Sequence, residues 1–250
     1  MKQRVLKTLD RVLSKAGLGS RREARSWIGA GRIAVNGRKI QTPDHWVDLE
    51  HDRVTLDGKP VTHARTRTVL LYKPKGFLTT YKDPEGRATV YDLLTGVDQF
   101  LGTVGRLDLD TSGLLLLTND HALAELLTNP EYHVPKTYLV RAATILSDEQ
   151  LQQLASGVEL SDGPTRPAQV TRTRDSHRHT FLEITITEGR NRQVRRMLEA
   201  LNSRALKLVR IRFGPLTLEG VKIGEWRDLT GAEVAALRKT AQRMEAKRKS

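Results

Sequence analysis

Four consecutive leucines occupy positions 114–117 and are bounded on both sides by polar and turn-forming residues. A half-exposed strand would alternate, so this run predicts a strand buried on both faces. The segment before it, Val104-Gly105-Arg106-Leu107-Asp108-Leu109-Asp110-Thr111-Ser112-Gly113, is a polar loop. After it, Thr118 or Asn119 offers a cap for a helix over 122–127 that stops at Asn129-Pro130. The loop therefore delivers two carboxylates and a guanidinium to the mouth of a rigid strand, where a scaffold can hold their geometry.

The N-terminal pattern is different. Val5, Leu9, Val12, Leu13 and Ala16 fall at helical spacing and end at Gly17. Ser20 with Glu23 forms a capping box for a second short helix through Ala24, Trp27 and Ile28, closed by Gly29-Ala30-Gly31. Residues 32–35 alternate like a strand and run into an Asn36-Gly37 turn, and 54–61 read as the last hairpin of a small domain. His63 to Thr68 is polar and unpatterned, a linker in which His63 is solvated.

The larger remainder begins with a strand at 69–72, broken at Lys73-Pro74-Lys75-Gly76-Phe77. Turn residues at 83–87 lead to a short helix near 90–94, and 136–142 alternate as a strand. Ser147-Asp148-Glu149-Gln150 caps a helix that closes at Gly157. Strands follow at 168–172, 181–187 and 205–213, with a helix over 191–201 and a basic helix over 231–249. Strands interleaved with helices without regular βαβ spacing predict an α+β class. The expected domains are 1–62, a linker at 63–68, a second domain at 69–237 and a basic tail at 238–250.

Composition narrows the chemistry. The 250 residues contain no cysteine, which removes disulfides and thiol chemistry. No apolar run approaches a membrane span, and the N-terminus has no signal-peptide core, so a cytoplasmic protein is expected. Forty-two Lys and Arg against 29 Asp and Glu give a net charge of +13, which points to an anionic polymer. Residues 1–40 alone carry eleven Lys and Arg against Asp10 and Glu23.

Asp108 admits several roles. Asp, Thr, Ser and Gly all favour tight turns. Asp108, Asp110, Ser112 and Gly113 match the start of a calcium loop, but its twelfth position is Asn119, not a bidentate Glu. A metal-binding Asp-x-Asp of a nucleotide-sugar transferase lacks a Gly-rich diphosphate cradle nearby. A catalytic carboxylate is the fourth reading. A second constellation, at 188–198, places Arg190, Arg192 and Arg195 around a helix start, where the macrodipole favours anions. An anion, either a phosphate or a buried carboxylate, is expected to meet them. Val194, Met197, Leu198 and Leu201 form the apolar stripe that would turn the arginines outward.

Arg11-Val12-Leu13-Ser14-Lys15-Ala16-Gly17, Ser20-Arg21-Arg22-Glu23-Ala24 and Gly31-Arg32-Ile33-Ala34-Val35-Asn36-Gly37 resemble an S4 RNA-binding domain. That resemblance implies RNA contacts at Lys15, Arg21, Arg22, Arg25 and Arg32. With Tyr72-Lys73-Pro74-Lys75-Gly76, Gly105-Arg106-Leu107-Asp108, Lys136-Thr137-Tyr138 and residues 189–197, nearly the whole chain is similar to the RsuA/RluB family of S4-domain ribosomal RNA pseudouridine synthases. One departure is Asn202, where many members carry Gly; Asn also accepts the left-handed cap, so the fold is expected to hold.

The resemblance implies a small S4 domain followed by a domain with a mixed, largely antiparallel sheet flanked by helices. It also implies cofactor-free, metal-free isomerisation of a flipped uridine, with Asp108 as the essential carboxylate. Asp108 would attack the sugar or abstract a sugar proton. Arg195 would oppose the effect of burial on Asp108, and Tyr138 would offer the uracil a ring face for stacking and a catalytic hydroxyl for proton traffic. Arg106 would fill the gap in the RNA or grip a phosphate. Leu107 and Val194 would be apolar walls, Asp110 would shape the loop or hydrogen-bond within it, and Lys73, Arg190 and Arg192 would contact RNA. The sequences at 83–87 and 191–196 look closer to the large-subunit branch, so the expected partner is 23S rather than 16S rRNA, free or in a pre-ribosomal particle. A monomer is expected. The competing classes are a non-catalytic S4 assembly factor and a metal-dependent glycosyl transferase.

Overall fold

The computed structural model describes residues 6–48, 51–62 and 64–249, with side chains through Met244. Val5, His63 and the side chains of Lys247, Arg248 and Lys249 lie outside the described residues. Two compact units are present: one extends to Thr68 and takes in Thr95–Gly102 and Thr118–His121, and the other comprises the rest.

The first unit begins with β1 (Leu6–Thr8), α1 (Leu9–Lys15) and α2 (Arg21–Gly29). The expected first helix starts later than its apolar spacing suggests. Leu6–Thr8 pairs antiparallel with β4 (Trp46–Asp48), and helix geometry begins only after Thr8. The capping box of α2 forms as expected, with the Glu23 amide donating to the Ser20 hydroxyl and the Ser20 amide donating to the Glu23 carboxylate. Strands β2 (Ile33–Val35), β3 (Arg38–Lys39), β5 (Val54–Leu56) and β6 (Lys59–Pro60) form a sheet in the order β3-β2-β5-β6. The β2–β3 turn places Asn36 and Gly37 both at positive φ, +50° and +83°, as a two-residue hairpin demands. Leu9, Leu13, Ala24, Ile28, Ile33 and Val47 are fully buried in this unit's core.

The nine-stranded sheet runs β11-β12-β10-β13-β9-β7-β15, with β8 on β9 and β14 on β13. Its members are β7 (Thr68–Lys73), β8 (Gly102–Val104), β9 (Ser112–Thr118), β10 (Lys136–Ala142), β11 (Gln169–Asp175), β12 (Thr180–Ile186), β13 (Ala205–Phe213), β14 (Leu216–Thr217) and β15 (Trp226–Asp228). Its helices are α3 (His121–Thr128), α4 (Asp148–Ser156), α5 (Gln193–Glu199) and α6 (Gly231–Lys249), and the segment expected as a helix near 90–94 is a short 3-10 turn, Val90–Leu93. All seven residues of β9 are buried, as the leucine run predicts. The strands β1, β4, β8, β14 and β15 were not foreseen; each has two or three residues, too few to show a period.

Antiparallel pairing dominates, and β9 with β13 is parallel. At that seam Gly113 lies opposite Arg210 with φ +121°. A Cβ on Gly113 would fall 2.3 Å from the Arg210 carbonyl oxygen, so only glycine allows the two backbones this approach. Asn202 adopts φ +56°, the left-handed cap expected of it. Helix α5 is shorter than expected because Arg192, its N-cap, sits at φ +47° and starts the helix late. In α6, Leu237 and Ala241 are fully buried.

Candidate active site

The loop between β8 and β9 is fixed at four places. The Thr79 hydroxyl donates to the Leu107 carbonyl at 2.7 Å and accepts from the Leu107 amide at 3.3 Å. The Gly76 amide donates to the Leu109 carbonyl at 2.9 Å. Lys73, whose side chain is fully buried, donates from Nζ to the carbonyls of Asp108 at 3.0 Å, Thr111 at 2.8 Å and Pro74 at 3.1 Å. Burial brings the Lys73 ammonium down to about 8, with Asp108 and Asp110 pulling it back up. The assignment of Lys73 to RNA is therefore corrected: a 0% exposed ammonium facing three carbonyls cannot reach a phosphate.

So held, the loop leaves the Asp108 carboxylate one-third exposed. It opens onto a cleft of about 770 Å³ lined by Arg106, Leu107, Asp108, Tyr138, Arg192 and Val194, among others. The structure thus brings together the expected carboxylate, tyrosine and apolar walls from β9's loop, β10 and α5. Tyr138, Leu107 and Val194 are buried, and Arg106 is exposed and makes no ion pair among the described residues.

The arginines depart from expectation. Arg195 is buried, not turned outward; its direct ion pair is with Asp110, while Asp108 is near enough to favour its charge. Its Nη2 lies 3.0 Å from Asp110 Oδ2 and donates to the Asp110 carbonyl at 3.1 Å and the Thr111 hydroxyl at 3.3 Å, while Nη1 donates to the Ala205 carbonyl at 3.1 Å. Burial holds the Arg195 guanidinium below the ordinary arginine range, and Asp110 opposes this. Arg192 is the cation that reaches Asp108, at 3.9 Å, and it also stands 3.4 Å from Asp110. The anions awaiting Arg192 and Arg195 are thus carboxylates. Asp110 does more than shape a turn: it ties the loop to α5.

Arg190, part-buried and lining the cleft, also serves as a strut. Its Nε donates to Glu188 at 3.0 Å, and its other nitrogens donate to the carbonyls of Gly163 at 2.7 Å and Pro164 at 2.6 Å.

In the first unit, Arg21 and Arg25 converge on Asp10, at 2.8 Å and 2.9 Å, while keeping half their side-chain surface exposed. Burial works to raise the Asp10 carboxyl, but hydrogen bonds from Thr8, Arg25 and Arg21 outweigh it and hold it at about 2. Arg32 pairs with Asp57. Arg22 is exposed and makes no ion pair among the described residues. Lys15 is half-buried, and burial, then Lys7 and Arg11, lower its ammonium.

Two cleft cations had no assigned role in the sequence reading. They are Lys136 and Arg210, and both line the cleft. The signal for Arg210 was present. It falls in phase with Leu206 and Leu208 on β13, a charge at an inward position.

Residues 7–49 match the S4 domain, and residues 67–200 match the RNA pseudouridylate synthase family. The chain is 39% identical over 238 residues to the ribosomal large subunit pseudouridine synthase B of Bacillus subtilis, covering 94% of this chain and 97% of the relative. It is 37% identical to the protein of the same name from Escherichia coli K12, covering 94% and 83%. A crystal structure of a pseudouridylate synthase superposes with a TM-score of 0.67 at 29% identity, covering 92% of this chain and 99% of the other. With an S4 domain ahead of it and a carboxylate loop at the mouth of its central strand, the chain belongs to the RNA pseudouridylate synthase family.

Proposed function

We propose that this protein converts one uridine of 23S rRNA to pseudouridine, with Asp108 as the essential carboxylate. The observation that carries the reading is the part-exposed Asp108 on a loop braced by Lys73, Thr79 and Gly76, facing a cleft shared with Tyr138. The large-subunit names of its relatives favour 23S over 16S rRNA.

The target base is inaccessible while stacked and must be turned out of the RNA, at a cost of a few kcal/mol. The cleft offers the Tyr138 ring as a stacking surface between the walls Leu107 and Val194. Exposed Arg106 is placed to fill the space the base leaves or to grip its phosphate. Asp108 then attacks C1′ or removes a sugar proton, and uracil turns and rejoins through C5. Either role needs the ionised carboxylate, and the Arg192 guanidinium stands 3.9 Å from it. Arg195 acts through Asp110 and Thr111 by fixing the loop. Lys15, Arg21, Arg22, Arg25 and Arg32 hold the RNA backbone, and the protein works as a cytoplasmic monomer.

The test is to map pseudouridine in rRNA from cells with and without the gene, complemented by wild type or Asp108→Ala. One 23S site is expected to disappear and to return only with wild type. Loss of a 16S site would overturn the substrate. An unchanged map would overturn the enzymatic reading and put a non-catalytic assembly role first.

A further inference from the structure

We propose that Arg210 and Lys136 form an anion pocket at the floor of the cleft that receives a uracil carbonyl oxygen and holds the negative charge of the departing base. The inference rests on the reading of the protein as a uridine isomerase and assigns chemistry to two of its residues.

The placement comes from strand register. Arg210 on β13 lies directly opposite Tyr138 on β10, and on its other side pairs with Gly113 at the end of the Asp108 loop. Directly opposed side chains of antiparallel strands share a face, with Cβ atoms about 4.5–5.5 Å apart. Lys136 is two residues before Tyr138 and so on the same face of β10. The β10–β13 register then shifts: Tyr138 faces Arg210, Thr137 faces Arg212 and Lys136 faces Phe213. The extra residue, Ile211, restores Arg210 and Phe213 to one face, although three positions apart they would otherwise point oppositely. The Arg210 guanidinium lies 5.3 Å from the Phe213 ring centre, and Lys136 Nζ lies 5.6 Å from it.

Neither cation is neutralised by a carboxylate among the described residues. Lys136 Nζ donates to the Val134 carbonyl at 3.0 Å and more weakly to that of Glu188 at 3.5 Å. Burial, and then Arg210, bring the Lys136 ammonium down to about 8. Arg210 is 3% exposed and donates from Nε to the Leu114 carbonyl at 2.7 Å, while its Nη2 is buried without a partner. Buried charge and buried unpaired donors are costly, so an arrangement holding both is suited to an anionic or carbonyl-bearing visitor.

The depth decides which. Phosphates stay with the RNA chain at the cleft rim, where exposed Arg106 and Arg192 stand. Only the flipped base reaches a floor walled by Phe213, Leu208 and Ile186. When the N1–C1′ bond breaks, its electron pair remains on uracil, shared among N1, O2 and O4. C1′ is taken up by the Asp108 carboxylate as an ester, or becomes part of a double bond after C2′ loses a proton to Asp108. Bond formation from C5 to C1′ then releases Asp108 or takes the proton back at C2′. C5 loses its proton to water and N1 gains one, so the product is an isomer. Fixed cations at a carbonyl oxygen favour the charged base over the neutral nucleoside, which is how such a pocket accelerates bond cleavage.

The test compares single-turnover rates of wild type, Arg210→Gln, Arg210→Lys and Lys136→Gln on 23S rRNA transcripts containing uridine or 5-fluorouridine, following loss of the starting nucleoside. Fluorine stabilises the base anion and makes it a better leaving group. Arg210→Gln is expected to lower the saturated rate on uridine about 100-fold, with RNA affinity little changed. The loss should be severalfold smaller on 5-fluorouridine and partly reversed in Arg210→Lys. Equal losses on both substrates would mean a merely structural role, and a loss confined to affinity would mean a phosphate grip; either overturns the proposal. If Arg210→Gln does not fold, half-buried Lys136→Gln carries the same comparison. Wild type inert on 23S and 16S transcripts alike would overturn the isomerase reading itself, and this inference with it.

Discussion

Lys73 donates a 3.0 Å hydrogen bond to the backbone carbonyl of Asp108, from an ammonium group with no exposed surface. A buried cation thus holds the main chain of the residue whose side chain faces the cleft. Lys73→Met keeps the stem but removes the ammonium donor from the carbonyls of Asp108 and Thr111, leaving Asp108 only the bond from the Thr111 amide. Stability should fall by about 1–3 kcal/mol, read from denaturant unfolding. Pseudouridine formation should fall about 10- to 100-fold, because small displacements of a reacting group are expensive. A full rate with reduced stability would show that Thr79 and Gly76 suffice to hold the loop.

The two arginines of α5 should differ sharply. Arg195 is 8% exposed and tied to Asp110, so Asp110→Asn leaves a buried guanidinium without its counter-charge. Losses of about 3–5 kcal/mol accompany such uncompensated charges, and the half-exposed Asp110 side places this variant at the low end. Arg192 is 43% exposed, and its pairs with Asp108 and Asp110 are long. Arg192→Gln should therefore change stability by about 1 kcal/mol or less. Paired denaturation curves check the order, and equal effects would contradict it.

Salt dependence should separate the arginines of the S4 unit. Arg22 is exposed and makes no ion pair among the described residues, whereas Arg21 is drawn onto Asp10. Arg22→Ala should reduce the log–log slope of RNA affinity against salt by about 0.7–0.9, the effect of one lost phosphate contact. Arg21→Ala should reduce it less. Filter binding of rRNA over a salt series measures both.

Lys136 predicts a rise in stability with alkalinity. Its ammonium titrates at about 8 in the folded chain against an ordinary 10.5. Between those values the native protein binds fewer protons than the unfolded chain, so this group's contribution grows with pH across that window and is lost as pH falls through about 8. Urea unfolding of wild type and Lys136→Met at about pH 7.5 and about pH 9.5 checks it. Wild type should gain on the variant at the higher pH. Lys73, lowered to about 8 as well, titrates in both proteins and cancels.

What was legible in the chain was whatever local chemistry decides. The capping boxes at Ser20 and Ser147 begin helices where they should, the four leucines lie inside a strand buried throughout, and Asn202 takes the left-handed cap. The Asp108 loop could be located from its turn residues and the strand behind it. What escaped depends on contacts between distant segments. Lys73 reads as a surface lysine until the carbonyls of Asp108 and Thr111 close around it. The apolar stripe of α5 did not turn Arg195 outward, because Asp110 draws it in. Strict alternation would have put Arg210 and Phe213 on opposite faces; the extra residue at Ile211, which no local pattern announces, brings them onto one.

The parallel seam of β9 and β13 also sets an order in time. The core of the S4 unit, from Leu9 to Val54 with Val61 against it, is drawn wholly from the early chain. The row Tyr138–Arg210–Gly113 cannot exist until β13 has been synthesised and laid beside β9. Domains form as units from the N-terminus during synthesis. A growing chain on the ribosome therefore gains its grip on RNA well before it gains the means to alter a base, and a protein truncated short of Arg210 would bind its substrate as a bystander.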